Sequence, residues 1–366
     1  MTLNIGLIGP LPPPYGGMAN QANQLYQLLQ QEAGIQVSFV QTNASYANKL
    51  IGGMKGVRAI ARLLSYAGKV YRLAGQVDVI HVFANSGWSW QLFSAPVIWI
   101  AWLRKTPIII NYRGGEAKTY FEKSIKWVRP SMNKATVIVV PSGYLQHVFD
   151  KFHFKTQVIP NIINLERFKL VRKDSINIKA PHLIITRNLE AIYGIVTAIK
   201  AVAIVNKKFP NFSLSIAGSG PQKNELLELV KKLKLENNIR FTGKLKPDEV
   251  ATLYQEADIM LNPTTVDNMP NSVLEAMASG VAIVTTNVGG IPYIVEDNKT
   301  ALFVEVNNAE LMAEKIIELL HDKQLYTRLV SNGITEVQQY SWTHIKIQWM
   351  NLYQLLGPNK LDISQK

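Results

Sequence analysis

The feature that most constrains this chain is a set of short segments that are apolar almost without interruption. "LNIGLIG" (Leu3–Gly9), "VDVIHVFA" (Val77–Ala84), "PIIINYR" (Pro107–Arg113) and "ATVIVVPS" (Ala135–Ser142) are rich in Val and Ile and lack regular polar alternation. Such strands suit burial on both faces, in a parallel sheet covered by helices. Helical stretches lie between them: Ala22, Leu25, Leu28 and Leu29 recur at helical spacing after the first strand. "IQVSFVQT" reads as a further strand. The same grammar returns in "HLIITRN" (His182–Asn188), "FSLSIAG" (Phe212–Gly218), "NIRFTG", "ADIMLNP" and "VAIVTT", with helices between. At 366 residues the chain exceeds one usual core. The expected architecture is α/β: two doubly wound parallel-sheet domains with a cleft between them. The expected bounds are residues 1–170 and 171–340, with a linker around Asn164–His182 and a terminal helix within 341–366. In such sheets ligands sit beyond the carboxyl ends of the strands, on the loops that enter helices.

Composition narrows the chemistry. The chain has no Cys, which excludes disulfides, thiolate metal sites and a catalytic cysteine. The six histidines show no metal-ligand spacing with one another or with an acid. Neither a G-x-S-x-G elbow nor a Walker loop is present. "GSGP" (Gly218–Pro221) does not complete the dinucleotide fingerprint. Neither a metal nor a cofactor is therefore expected. The opening "MTLNIGLIGPLPPP" lacks a basic n-region and a long apolar run, so it does not read as a signal peptide, and a cytoplasmic location is expected. Of the formal charge of +13, +9 lies in residues 1–150, and between Ala33 and Gly115 the only acid is Asp78. The first half thus faces something anionic: nucleic acid, an acidic membrane surface or a phosphate-bearing substrate. No interleaved aromatic and basic platform supports nucleic acid.

The densest candidate site is "DNMPNSVLEAMASG", Asp267 to Gly280, which follows the strand "ADIMLNP". Pro270 fits the first position of a helix. Asn271 and Ser272 then present first-turn N–H groups suited to an anion. Glu275, over a turn later, suits two vicinal hydroxyls such as those of a ribose. Asp267 reads either as a sugar contact or as a helix-capping acid, and Glu275 either as a ligand group or as a surface charge. Arg187, at the end of a strand, suits bidentate phosphate binding or a surface ion pair. Gly16 and Gly17 close the first β-to-α loop, where glycine lets backbone approach a ligand. His81 reads either as a cleft-facing residue or as a packed core histidine. "NVGGIPYIVED" (Asn287–Asp297) is a second glycine loop after a strand.

Taken together, "PPPYGGMAN", "DVIHV", "YRGGE", "VIPNIINLERF", "IAGSGP", "IRFTG", "DNMPNSVLEAMASGVAIVTTNVGGIPYIVED" and "YSWTHIKIQW" resemble, in order and spacing, the retaining GT-B glycosyltransferases related to glycogen synthase and to bacterial lipopolysaccharide and mannosyl transferases. The resemblance covers almost the whole chain. It implies two Rossmann-like domains, a C-terminal helix returning towards the first, a nucleoside-diphosphate sugar bound mainly by the second domain, an acceptor bound by the first, and no essential metal. Residue by residue, Glu275 would hold the ribose, Asp267 would contact the donor sugar, and Asn271 and Ser272, preceded by Asn268, Met269 and Pro270, would cradle the diphosphate. Arg187 would neutralise the leaving group, and Gly16, Gly17, His81 and Gly218 would border the substrates. Thr242, Gly243 and Lys244 would border the base. Three positions depart from the family pattern: Asp267 stands where Glu is usual, Tyr193 where a basic residue is usual, and Arg113-Gly114 where His-Gly is usual. Arg113 is taken as a third catalytic residue that restores the lost cation.

The implied activity is retaining transfer from a nucleoside-diphosphate sugar, with a UDP-sugar favoured and GDP-mannose admitted, to a lipid-linked or polysaccharide acceptor in cell-envelope glycan synthesis. The alternatives are a GT-B sugar-nucleotide epimerase and a catalytically weakened nucleotide-sugar-binding protein. A further expectation concerns Lys55–Leu73. Advancing about 100° per residue from Lys55, the cations Arg58, Arg62, Lys69 and Arg72 gather at roughly 260–340°. Val57, Ile60, Leu63, Leu64, Ala67, Val70 and Tyr71 gather at roughly 60–200°. That face reads either as the basic outside of a core helix or as a peripheral contact with anionic lipid at the inner face of the plasma membrane. The run Gly87–Arg104 carries four Trp and is too interrupted for a span.

Overall fold

The structure is a computed structural model describing residues 2–13, 16–43, 55–170 and 176–357; the side chains of residues 55–60 lie outside the description. It contains two compact units, Met1–Ile162 with Trp342–Lys366, and Ile163–Ser341.

The first unit holds a six-stranded sheet of β1 (Leu3–Gly9), β2 (Ile35–Gln41), β3 (Val79–Ala84), β4 (Ile108–Tyr112), β5 (Val137–Val140) and β6 (Gln157–Val158). The strands are all parallel, in the order β2-β1-β3-β4-β5-β6. Helices α2 (Lys55–Ala74), α3 (Ala95–Leu103), α4 (Ala117–Met132) and α5 (Gly143–Lys151) cover one face, packing on Ile80, Val82, Ile108 and Ile110. Helix α1 (Gly17–Gln30) and the C-terminal helix (Trp342–Leu356) cover the other, on Ile5, Leu7, Val79 and Ile109. Each strand thus gives alternate side chains to two apolar layers, which is why its sequence is apolar throughout. Glu32, just past α1, pairs with Lys346 and accepts a hydrogen bond from Trp342 Nε1 at 2.9 Å, fastening the C-terminal helix to this unit.

The second unit repeats the plan with β7 (His182–Ile185), β8 (Ser213–Ala217), β9 (Ile239–Gly243), β10 (Ile259–Asn262), β11 (Ala282–Thr286) and β12 (Leu302–Val304). This sheet is also parallel, in the order β12-β11-β10-β7-β8-β9. Helices α6 (Ile195–Val205), α7 (Lys223–Lys232), α10 (Ala309–His321) and α11 (Lys323–Glu336) contribute to the core on one face, and α8 (Pro247–Glu256) and α9 (Asn271–Ala278) to that on the other. The C-terminal helix is α12.

Numbered within their own units, the sheets run 2-1-3-4-5-6 and 3-2-1-4-5-6. Each reverses its winding direction once, between β1 and β3 in the first and between β7 and β10 in the second. Those reversal points are where doubly wound sheets bind ligands.

The units divide at Ile162 and Ser341, not at residues 170 and 340. Residues 163–170 go with the second unit because Ile163 N donates to Tyr340 O at 2.9 Å and Phe168 packs edge-on against Tyr254. Residues 171–175 of the expected linker lie outside the described residues.

Candidate functional site

The reversal point of the second sheet gathers the polar residues that the sequence singled out there. Arg187 stands two residues past the end of β7, and Asp267 five past the end of β10. Arg187 Nη2 donates to Asp267 Oδ2, and its Nη1 donates to Ser272 Oγ at 3.3 Å. The two side chains are only 12% and 13% exposed. Asp267 Oδ1 accepts from Asn268 N at 2.9 Å. Arg187 Nε is buried with no hydrogen-bond partner among the described residues, leaving one directed donor unspent.

Backbone packing fixes both partners. Gly218 has φ +156°, and a Cβ there would collide with the Arg187 carbonyl. Gly290 N donates to Asp267 O at 2.8 Å, and a side chain on Gly290 would strike the Asn268 carbonyl. The two glycine turns after β8 and β11 therefore act as backstops for the arginine and the acid.

Helix α9 begins at Asn271. Pro270 is its cap residue, with ψ 120°, one position earlier in the helix than expected. Asn268, Met269, Pro270 and Ser272 are buried and Asn271 half-buried. Burial pushes the Glu275 carboxyl up to about 7, against the opposing pull of a hydrogen bond with Tyr254 and of the Arg187 and Arg167 charges. The same Tyr254 hydroxyl lies 3.0 Å from Ser272 O and against Thr186 Oγ1, so its single proton is shared among competing acceptors. Thr242 and Gly243 end β9 and Lys244 follows, exposed, on the same carboxyl edge with β8 between them and β7.

Two members of this cluster were not read from the sequence as site residues: Tyr193 stood out only as a departure from the family pattern, and Tyr254 not at all. Tyr193 lays its ring 4.1 Å from the Arg187 guanidinium carbon. It is held there because Ile192 O accepts from Thr265 N at 2.7 Å, Thr264 Oγ1 at 3.0 Å and Thr265 Oγ1 at 3.1 Å. Tyr254 sits in the buried stripe of α8 and was indistinguishable from core.

The first unit uses its polar residues differently. Gly16 and Gly17 open α1, exposed, with free space where a Cβ would stand. His81 does not end its strand or reach the surface: it is third in β3, fully buried, between Phe83 at 4.8 Å and Trp349 at 4.7 Å. The strand runs on to Ala84, so the imidazole points into the layer under α12 rather than into a loop. Asn111 Nδ2 lies 2.9 Å from His81 Nε2, and His81 Nδ1 lies 2.6 Å from the Tyr353 hydroxyl. Burial, with the Arg113 charge nearby, holds the imidazole well below its ordinary pKa and therefore neutral. A neutral ring accepting at Nε2 donates at Nδ1 to Tyr353. Arg113, one residue past β4, donates from Nε to Asn111 Oδ1 at 2.8 Å, and burial lowers its pKa to about 9. Among the described residues no three His, Asp or Glu side chains gather as a metal site would require.

Comparison with known proteins matches the family "Glycosyltransferase Family 4" over residues 15–167 and "Glycosyl transferases group 1" over residues 166–336. The N-acetyl-alpha-D-glucosaminyl L-malate synthase of Bacillus anthracis is 28% identical over 225 residues, 61% of this chain and 56% of that protein. A D-inositol 3-phosphate glycosyltransferase of Corynebacterium urealyticum is 26% identical over 46% of this chain and 41% of its own length. The chain thus matches about half the length of these curated relatives. Sucrose-phosphate synthase of Thermosynechococcus elongatus shares the fold, with TM-score 0.74 and 20% identity over 97% of this chain and 99% of that one. So does Anabaena HepE, solved in complex with UDP, with TM-score 0.75 and 17% identity over 96% and 99%.

Proposed function

The chain belongs to glycosyltransferase family 4, the group 1 glycosyl transferases of GT-B fold, and on that premise we propose that it is a retaining hexosyltransferase acting on a nucleoside-diphosphate sugar. The observation that carries the reading is the Arg187–Asp267 pair at the reversal point of the second sheet, with Ser272 at the start of α9 and Glu275 one turn on. In this reading Arg187 and the first-turn amides of α9 take the diphosphate, and Glu275 takes the ribose hydroxyls. The arriving diphosphate competes with Asp267 for the guanidinium, and the displaced carboxylate turns to the sugar. Thr242, Gly243 and Lys244 border the base, and Gly16 and Gly17 let the first loop approach the phosphates. Arg113, still cationic at neutral pH, supplies further positive charge to the leaving group. Preorganised charge of this kind is usually the largest catalytic term. The sugar departs and is attacked on one face, with the leaving phosphate assisting the acceptor hydroxyl.

A UDP-sugar is favoured as donor; the HepE structures with UDP and UDP-glucose support that choice. The acceptor is a lipid-linked or polysaccharide glycan of the cell envelope, met at the inner face of the plasma membrane through the basic first unit. No metal takes part, and turnover survives exhaustive dialysis against EDTA; loss restored by manganese or magnesium refutes this.

The test is a thermal-shift screen against UDP-, GDP- and ADP-sugars, followed by incubation of the stabilising donor with glycan acceptors. Transfer yields free nucleoside diphosphate and a new glycoside. An epimerised sugar nucleotide, or binding without turnover on any acceptor, overturns the reading.

A further inference from the structure

Helix α3 reads "APVIWIAWL", nine residues without one polar side chain. A helix apolar all round is ordinarily covered all round. This one is not. Val97, Ile98 and Ala101 are buried in the first unit's core, while Trp99, Trp102 and Leu103 are 38%, 47% and 66% exposed. These three positions, spaced i, i+3 and i+4, form one stripe along the helix.

The stripe continues onto α2. Tyr71 is 52% exposed, and the Arg104 guanidinium lies 4.7 Å from its ring and donates to its hydroxyl at 3.3 Å. At the other end, Lys134 Nζ lies 4.2 Å from the Trp102 ring centroid, and Trp99 and Trp102 meet edge-on at 5.6 Å. The buried stripe of α2 is Tyr66, Val70, Leu73 and Ala74, rotated from the apolar face that the sequence suggested, so that Leu64 and Tyr71 face outward. Of the expected cationic face, Arg62 donates to Thr42 O at 2.7 Å, while Lys69 and Arg72 are exposed. The Arg58 side chain lies outside the described residues.

We propose that this edge of the first unit, α3 with the adjoining side of α2, is a shallow insertion surface for an anionic lipid bilayer. Trp and Tyr are the residues whose apolar rings and polar tips suit the headgroup boundary. Cations seated on those same rings match the charge of an acidic leaflet. The only acid between Ala33 and Gly115, Asp78, is engaged with Asn4 N at 2.7 Å, at the amino end of the sheet. No described helix is long and apolar enough to cross a membrane, so the contact is peripheral. The proposal rests on the reading that the acceptor is presented at a membrane. It moves the contact from the basic face of α2 to the uncovered edge of α3.

The full chain is mixed with phosphatidylcholine vesicles, with and without phosphatidylglycerol, whose acyl chains are brominated near the headgroup. Binding is expected to the anionic vesicles, falling with salt, with quenching of tryptophan emission. Trp99→Ser, Trp102→Ser and Leu103→Ser together remove that quenching and lower vesicle affinity by about tenfold. Lys69→Gln, Arg72→Gln and Lys134→Gln each lower it by about fivefold. Wild-type binding by the triple Ser variant overturns the proposal. So does absence of quenching, or self-association in vesicle-free buffer that the triple variant abolishes. The donor thermal shift is measured on the same samples. Its retention in the triple variant shows that the fold and donor site are intact, and its absence in the wild type counts against the transferase reading alone.

Discussion

The two sheets are built alike and use their carboxyl ends in opposite ways. In the second unit Asn262 and Thr285 pair inside their strands, but Arg187, Asp267, Ser272 and Glu275 of the candidate site lie past the strand ends. Arg187 and Asp267 extend from loops on either side of the reversal point and meet. In the first unit two of the polar residues, His81 and Asn111, lie inside their strands. Their side chains enter the layer beneath α12 and end in a hydrogen bond to Tyr353. Arg187 and Asp267, beyond their strands' ends, face the loop crevice; His81 and Asn111, three residues and one residue before theirs, face a packed helix. Position relative to the strand end, more than residue type, separates a ligand site from a fastening.

The sharpest way to break this comparison is to remove one member of the buried pair. Arg187→Ala leaves the Asp267 carboxylate unpaired and nearly buried, which costs about 3 kcal/mol of stability or more. The double variant with Asp267→Ala regains part of that loss, so chemical denaturation of the two singles and the double gives a strong coupling energy. Turnover by Arg187→Ala falls at least about tenfold, about 1.4 kcal/mol in barrier, even where the fold is intact. Additive stabilities together with wild-type kinetics would remove the pair from both roles.

The counterpart in the first unit is expected to move stability and leave donor recognition alone. His81→Ala opens a cavity between Phe83 and Trp349 and strands the Asn111 amide and the Tyr353 hydroxyl. That costs about 2–4 kcal/mol. Tyr353→Phe removes one hydrogen bond at little change in volume and costs about 1 kcal/mol. Both variants are expected to show the wild-type thermal-shift response to donor. A lost response in Tyr353→Phe would return His81 to the ligand site.

The sequence revealed this architecture unevenly, for physical reasons. β1, β3, β4 and β5 stood out because burial on both faces forces uninterrupted apolar runs. β6 and β12, of two and three residues at sheet edges, are too short to carry a period; the neighbouring strand's edge organises them. Arg187, Ser272, Asp267 and Glu275 were legible because their loops and helix start follow directly from strand ends. Tyr193, Tyr254 and the Gly290 backstop were not identified as a group, because their contacts join residues far apart in the chain. His81 was ambiguous because an apolar run buried on both faces does not show which packed layer, or which edge, a polar residue within it meets.

A smaller effect sharpens the assignment of Glu275. Its folded pKa is raised from an ordinary 4.5 to about 7. The folded chain therefore holds this proton more tightly than the unfolded one. The resulting stability is fully present below the unfolded value and is lost as pH rises towards about 7. Ribose hydroxyls instead require the carboxylate as acceptor. Donor affinity thus improves by about tenfold between roughly pH 6 and pH 8, while the donor-free protein loses stability over the lower part of that range. Titration calorimetry at several pH values checks the first trend and thermal melts the second. Glu275→Gln flattens both. An unchanged pH dependence of affinity in that variant assigns the titration to another group.

The smallest effect concerns what backs each arginine. Arg113 lies 5.8 Å from the Phe83 ring, and Arg187 lies 4.1 Å from that of Tyr193. Both strand-end guanidiniums therefore rest against an aromatic face. In the second unit the ring is held closely: Ile192 O takes three hydrogen bonds, and a Cβ at Gly194, with φ +62°, would strike the Pro263 carbonyl. Burial pushes the Tyr193 phenol up from its ordinary value, so the hydroxyl stays neutral, and the ring face is what Arg187 meets. Tyr193 is then a positioning residue that acts through the guanidinium. Tyr193→Ala forfeits a cation–π contact of about 1 kcal/mol, about fivefold in kcat, if the contact is carried into the transition state. Tyr193→Phe keeps the face and restores the rate, a rescue that an acting hydroxyl would not permit. Comparing kcat and KM for the two variants decides the matter: equal damage from Phe and Ala assigns the role to the phenol oxygen.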